Sequence, residues 1–276
     1  MLVYFGQDWL LFPGASNQGS RETLVRQVDA GSELVHLAGP NNTHITALFG
    51  QAELADGRVD PDAAGRATIL YFYGNGSCVA WSSWEMDHFR RLGVNVLCPD
   101  YLGYGMSDGK PSEANLYATA DAAYDYLVHR PAAEAGKIIA VGWSLGGAVA
   151  IDLASRRPVA GLVVFNAFTS LGDMAHKTFP WLPTRLLVKY RLDNLAKIAR
   201  ITCPTFICNG VLDTLVPPAM SDRLAAAAGG TVTRLKIAEA DHNSIFTASP
   251  KELLAAMRGF LETAGMNEHG GTEAQR

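Results

Sequence analysis

The pentapeptide Gly142-Trp143-Ser144-Leu145-Gly146 has the spacing Gly-x-Ser-x-Gly. A serine in this pattern can act as a nucleophile when it sits on a sharp turn between a strand and a helix. An apolar run at 137–141 precedes the motif and a helical pattern follows it, so the context agrees. The sequence therefore predicts Ser144 as a nucleophile. A helix-capping serine in an ordinary turn is the alternative.

A nucleophilic serine needs a base, and the base needs an acid to orient it. In this strand-turn-helix topology the chain order is serine, acid, histidine. Two histidines follow Ser144 late enough, His242 and His269. Because His269 belongs to a polar tail, His242 is the predicted base, with a plain surface-loop histidine as the alternative.

The orienting acid should lie in a loop at the end of a strand. Asp213 meets this condition because it follows the apolar run 205–208 and Asn209-Gly210. Asp241 is adjacent to His242, and adjacent side chains on an extended segment point to opposite faces. The prediction is therefore Asp213. The other candidates fall within helical patterns (Asp152 and Asp222) or within the segment predicted to form a cap (Asp173 and Asp193).

Two main-chain N–H groups are expected to stabilise an oxyanion near this serine. The N–H of Leu145 follows the nucleophile directly. The second is expected from the turn Gly74-Asn75-Gly76-Ser77, which follows another apolar run, so Asn75 is predicted as the other donor. A turn without a donor role is the alternative.

The surrounding pattern predicts an α/β fold with a mostly parallel sheet. Apolar runs bounded by glycine or proline alternate with helical patterns, which is typical of parallel strands covered on both faces. The predicted strands are 67–73, 93–98, 137–141, 161–165, 205–208 and 231–237. The predicted helices are 82–92, 112–129, 144–156, 217–228 and 250–261.

The remaining segments suggest how one domain, 1–263, is organised. Antiparallel strands are predicted at one sheet edge, at 23–28, 33–37 and 43–49. An apolar and aromatic segment at 168–200 lacks a strand pattern and is predicted to form a short helical cap. Residues 264–276 are polar and glycine-rich and are predicted to be a flexible tail.

Composition excludes several functional classes. Of the 276 residues, 48% are apolar, enough for a large core, and the formal charge of −4 argues against nucleic-acid binding. Four cysteines without a Cys-x-x-Cys pair argue against a zinc ribbon. We interpret them as core residues in a reducing compartment, which favours a cytoplasmic location. No metal and no organic cofactor are predicted.

The first sixteen residues are apolar but lack a basic residue before Arg21, so they do not resemble a signal peptide. The apolar stretch is also shorter than the ~20 residues needed to span a bilayer. It is interpreted as an edge strand or packed loop. The alternative is peripheral membrane contact through Leu2, Tyr4, Phe5, Trp9, Leu10, Leu11 and Phe12.

These motifs together resemble the α/β-hydrolase superfamily, and within it the Bem46-like serine hydrolases. The matching segments are 74–77, 99–113, 141–154, 203–217 and 241–243. The resemblance implies an eight-stranded, mostly parallel sheet and a serine acyl-hydrolase mechanism. Carried over by position, it implies a triad of Ser144, Asp213 and His242, with Asn75 and Leu145 at the oxyanion site.

The chain departs from this family in two places. The family commonly has histidine where this chain has Tyr73, before the oxyanion turn; because that histidine is structural, activity should survive. Many relatives carry an N-terminal membrane anchor that is not seen here, so their location does not transfer. Asp100 and Asp108, in the most specific motif, are predicted to pin their loop by hydrogen bonds to main-chain amides.

The expected activity is hydrolysis of carboxylic esters or thioesters of small or lipid-like acyl substrates through an acyl-enzyme. Peptidase, acyltransferase and low-turnover ligand-binding roles remain alternatives, and the oligomeric state is not indicated. Candidate pocket residues are Trp143, Trp81, Phe168, Met174, Trp181 and Phe246, for which ordinary core packing is the alternative.

Overall fold

A computed structural model describes residues 7–130 and 135–265 of the chain. Its sheet has eight strands in the order β1-β2-β4-β3-β5-β6-β7-β8, which confirms the predicted α/β class. The strands are β1 Ser32–Ala38, β2 His44–Gly50, β3 Thr68–Phe72, β4 Asn95–Pro99, β5 Ile138–Trp143, β6 Gly161–Phe165, β7 Thr205–Gly210 and β8 Val232–Ile237.

The strands from β3 to β8 are parallel, and their carboxyl ends therefore meet at one edge of the sheet. In the register, Phe72 pairs with Gly142, Trp143 with Phe165, and Gly210 with Ile237. β1 and β2 are antiparallel and form the far edge of the sheet, as predicted. The loops after β3, β5 and β7 consequently open on the same side.

Helices cover both faces of this sheet. None of those in the described residues is long and apolar enough to cross a membrane. Their bounds are α1 Gln7–Leu11, α2 Ser83–Arg90, α3 Glu113–Val128, α4 Leu145–Arg156, α5 Leu171–Thr178, α6 Thr184–Leu187, α7 Asn194–Ile198, α8 Pro218–Ala227 and α9 Pro250–Thr263. The short helices α5, α6 and α7 occupy the segment predicted to form a cap.

The N-terminal region differs from the sequence prediction. Residues 23–28 are not a strand: a 3-10 turn spans Arg21–Thr23, and Leu24 and Val28 remain 43% and 44% exposed. Apolar residues at 24, 25 and 28 do not alternate strictly, so they cannot present one buried face. The first described residues form α1 rather than an edge strand, and Phe12 after it is buried.

The described cysteines are all free thiols. Cys78, Cys98 and Cys208 are buried, and Cys203 is half-buried. Burial raises the pKa of the Cys208 thiol to about 12, which disfavours the reactive thiolate. These residues therefore pack as small apolar side chains. Most of the predicted tail, 266–276, lies outside the described residues.

Candidate active site

Ser144 lies on the turn between β5 and α4. Its backbone has φ 54° and ψ −111°, a conformation rare for residues other than glycine. The close approach of the turn explains the flanking glycines, since a Cβ at Gly146 would overlap the carbonyl oxygen of Phe72. The strained turn lifts the Ser144 side chain to the carboxyl edge of the sheet, as in a nucleophile elbow.

The three residues predicted to act together are joined by hydrogen bonds. The Oγ of Ser144 lies 3.0 Å from the Nε2 of His242, and the Nδ1 of His242 lies 2.7 Å from the Oδ2 of Asp213. Ser144 and His242 are 98 positions apart along the chain. The parallel sheet brings them together because β5, which precedes Ser144, and β8, which precedes His242, end at the same edge.

Asp213 is held by its own loop. Its Oδ1 accepts hydrogen bonds from the main-chain N–H groups of Leu215 (2.9 Å) and Val216 (2.8 Å). The ionised carboxylate is only an acceptor, so Nδ1 of His242 carries the hydrogen that faces it. The lone pair of Nε2 then faces the Ser144 hydroxyl, which is the arrangement that a general base requires.

Asn166 is a buried positioning residue that the sequence reasoning did not single out. Its Nδ2 donates to the carbonyl oxygen of His242 (3.0 Å), and its Oδ1 accepts from the N–H of Gly210 (2.9 Å). It thereby ties the end of β6 to the histidine loop and to the end of β7. The available signal was an amide residue directly after the apolar run 161–165.

The two predicted oxyanion donors border the same small cavity as Ser144. Leu145 is the first residue of α4, and the first N–H groups of a helix have no partner within it. The Asn75 side chain is engaged elsewhere: its Oδ1 accepts from the hydroxyl of Tyr104 (2.8 Å), and its Nδ2 donates to the carbonyl of Leu11 (2.7 Å). These bonds anchor the turn that carries the Asn75 main-chain N–H.

The cavity beside Ser144 has a volume of about 180 Å³ and an apolar wall. Phe168 and Met174, two of the predicted pocket residues, line it. Six further lining residues were not predicted as pocket residues: Leu11, Phe12, Leu171, Leu192, Leu215 and Val216. An apolar wall next to the Ser144 hydroxyl suits an apolar group rather than a charged one.

Comparison with known proteins identifies the family. A model of the alpha/beta hydrolase family matches residues 74–191. Protein bem46 of Schizosaccharomyces pombe is 31% identical over 234 residues, which cover 78% of this chain and 73% of that protein. The chain belongs to the Bem46-like alpha/beta hydrolases.

Two further similarities extend this result. An uncharacterized protein of Mycobacterium tuberculosis is 38% identical over 178 residues, 64% of this chain; the match spans 63% of that protein's length. A Pyrococcus furiosus esterase has the same fold, with a TM-score of 0.68 at 19% identity over 88% of this chain and 96% of that one.

Four predicted pocket residues lie outside the described lining of the cavity in this Bem46-like hydrolase. Trp143 packs beside His242, with ring centroids 6.1 Å apart. Phe246 is buried against Phe165 and Trp143. Trp81 and Trp181 are exposed. Their aromatic character alone did not distinguish lining from core or surface positions.

The loop after β4 is organised by Asp100. Its Oδ1 accepts from the hydroxyl of Tyr73 (2.9 Å) and the N–H of Val79 (2.8 Å), and its Oδ2 accepts from the N–H of Met106 (2.8 Å). Burial raises the pKa of Asp100 to about 6, and the three hydrogen bonds oppose this rise. Asp108 accepts from the N–H of His44 (2.9 Å). Both carboxylates therefore accept hydrogen bonds from main-chain N–H groups, as the sequence predicted.

A larger cavity, of about 780 Å³, lies at the opposite edge of the sheet. Thr68 and Ile138, the first residues of β3 and β5, line it. There Arg130 lies over the ring of Phe49 and pairs with Glu33. This larger cavity is separate from Ser144, so cavity size does not locate the candidate active site in this fold.

Among the described residues, no group of three or more histidine, cysteine or acidic side chains is arranged to hold a metal.

Proposed function

We propose that this Bem46-like hydrolase cleaves carboxylic esters or thioesters of small or lipid-like acyl groups through a covalent acyl-enzyme. The observation that carries the proposal is the hydrogen-bonded series from Ser144 through His242 to Asp213. Each member has the chemistry its place requires: a hydroxyl, an imidazole with two nitrogens that can hold and pass on a proton, and a buried carboxylate.

In the first half of the reaction the Ser144 Oγ attacks the acyl carbonyl carbon while Nε2 of His242 takes the hydroxyl proton. Asp213 stabilises the imidazolium that forms. The main-chain N–H groups of Leu145 and Asn75 stabilise the negative oxygen of the tetrahedral intermediate. Its collapse breaks the bond to the alcohol or thiol, which leaves with the proton from His242.

The second half repeats these steps with water. A water molecule loses a proton to His242 and attacks the acyl-enzyme carbonyl. The second intermediate then releases the carboxylic acid, and the proton returns from His242 to Ser144. No step in this scheme uses a metal or an organic cofactor. The apolar wall formed by Phe168 and Met174 favours an uncharged acyl chain.

A fluorophosphonate probe and p-nitrophenyl esters of increasing acyl length test the proposal together. The wild-type protein should form one covalent adduct and hydrolyse esters, whereas Ser144→Ala should do neither. Ser155→Ala is the matched control, because Ser155 lies on the helix that follows Ser144 and its hydroxyl donates to the Asp152 carbonyl of that helix. Labelling that persists in Ser144→Ala would overturn the assignment of the nucleophile. Labelling without turnover of any ester would favour a ligand-binding role.

A further inference from the structure

Several large apolar side chains are exposed in two segments near the cavity beside Ser144, at 179–187 and 212–215. We name this group the apolar rim. Its most exposed members are Leu186, at 85%, and Trp181, at 74%. The rim consists of Phe179, Trp181, Leu186, Leu187, Leu212 and Leu215. Monomeric soluble proteins rarely leave so many large apolar side chains together in water unless the surface binds something.

The rim is formed by two segments that are attached to each other. The ammonium group of Lys177, at the end of α5, donates hydrogen bonds to the carbonyl oxygens of Thr214 and Leu215. The chain then runs directly into Phe179, whose ring meets that of Trp181 at 5.9 Å. Leu215 also lines the cavity beside Ser144. The rim therefore adjoins the mouth of the candidate active site.

The segment that carries most of the rim is basic. Residues 174–192 contain four basic residues and no acidic one, although the whole chain has a formal charge of −4. The basic residues are Lys177, Arg185, Lys189 and Arg191. Of these, Lys189 is paired with Asp8 at 2.8 Å. Lipid interfaces take up apolar side chains, tryptophan among them, and negatively charged headgroups attract basic residues. The rim and the basic segment around it therefore match a negatively charged lipid surface.

We infer that the apolar rim docks on an anionic lipid surface. Trp181 and Leu186 would enter the headgroup region, and the positive charge of the surrounding segment would attract the lipid phosphates. A second copy of the chain fits less well, because a symmetric contact would place the same positive charges opposite each other. If the proposed hydrolysis is correct, docking would turn the cavity mouth toward acyl chains; this last consequence rests on the proposed function.

Vesicle sedimentation tests the inference without depending on hydrolysis. The experiment uses the full chain carrying Ser144→Ala, with vesicles of phosphatidylcholine alone or of phosphatidylcholine mixed with phosphatidylglycerol. We expect binding to the anionic vesicles, weakening as salt is raised. Adding Trp181→Ser and Leu186→Ser should reduce the affinity by about tenfold or more, because their apolar area no longer leaves water.

The matched control carries Leu24→Ser and Val28→Ser, which change exposed apolar residues outside the rim. This variant should bind as the parent does, and thermal unfolding should show that both variants are folded. Three results would overturn the inference: no vesicle binding by the parent, equal binding by the two double variants, or equal binding to neutral and anionic vesicles. Concentration-dependent dimerisation abolished only by the rim variant would assign the surface to self-association instead. Because the parent lacks the Ser144 hydroxyl, failure of the proposed hydrolysis leaves this test intact.

Discussion

Two buried aspartates, Asp100 and Asp213, follow strands of the same sheet and differ in what they hold. Asp100 comes directly after β4 and bonds to a tyrosine hydroxyl and two main-chain N–H groups. Asp213 comes three residues after β7 and bonds to an imidazole and two main-chain N–H groups. Each carboxylate has three such donors, so burial and the number of bonds do not distinguish them.

The side-chain partner makes the difference. The second nitrogen of an imidazole can take up and release a proton, whereas burial raises the pKa of Tyr73 well above its usual value. Tyr73 therefore keeps its proton and acts only as a support. His242 bonds to Asp213 through Nδ1 and presents Nε2 to the Ser144 hydroxyl, where it can accept a proton. A buried carboxylate is consequently a catalytic candidate only when its partner can carry a proton to a reacting atom.

The largest expected effect comes from Asp213→Asn. The amide would donate to Nδ1 of His242 and stabilise the wrong tautomer, leaving a hydrogen on the nitrogen that faces Ser144. We expect kcat/KM for an ester to fall by about 10⁴-fold with little change in thermal stability. Ester hydrolysis and thermal unfolding measure the two effects. A loss smaller than about tenfold would remove Asp213 from the proposed mechanism.

Asp100→Asn is the equivalent substitution in the other region and should have the opposite profile. The amide keeps one acceptor oxygen, so at least one of the buried donors loses its partner. We expect the free energy of unfolding to decrease by about 1–3 kcal/mol, with activity per folded molecule within about tenfold of wild type. Denaturant titration gives the first value. Abolished activity in a protein of unchanged stability would contradict the distinction between the two aspartates.

Tyr73→Phe should have a smaller effect. It removes the hydroxyl that donates to Asp100 and accepts from the Tyr101 N–H (3.2 Å), which should cost about 1 kcal/mol of unfolding free energy. Tyr71→Phe is a matched control two residues earlier in the chain, because the buried Tyr71 hydroxyl has no hydrogen-bond partner among the described residues. We expect no loss of stability from that change. Equal losses in the two variants would show that the bond to Asp100 contributes nothing.

The smallest effect is expected from Asp108→Asn. Asp108 is exposed, and an amide oxygen can still accept the hydrogen bond from His44. We expect unfolding free energy within about 0.5 kcal/mol of wild type and unchanged ester hydrolysis. A large loss of activity would give this carboxylate a role that its position in the structure does not explain.

Most strands of the sheet were predictable because their apolar runs are short and end at glycine, proline or asparagine. The predicted run 161–165 coincides with β6, and the run 205–208 falls within β7. The predicted strand ends before Asn209-Gly210 because those residues are typical of turns. In the structure β7 continues through both residues, because they pair with Lys236 and Ile237 of β8. Residues 23–28 failed as a strand because a short apolar pattern carries no information about an available partner.

The three residues of the hydrogen-bonded series were predictable because each follows a recognisable strand, and the pocket residues were much less so. Phe168 and Met174 line the cavity, but so do Leu11 and Leu192, which come from distant parts of the chain. The N-terminal segment reaches the site through a hydrogen bond from Asn75 to Leu11 and ring packing of Phe12 on Tyr190. No periodic pattern in the sequence encodes such contacts.

The amino-acid sequence by itself indicated the parallel strands, the turn at Ser144, and the chain order of serine, aspartate and histidine. These depend on local periodicity and on a topology in which consecutive strand ends share one edge. Only the tertiary structure decided which apolar side chains line the cavity, that Asn166 braces the histidine loop, and that the rim stays exposed. Those outcomes depend on how side chains from remote segments pack together, because burial is a property of the assembled fold and of no single segment.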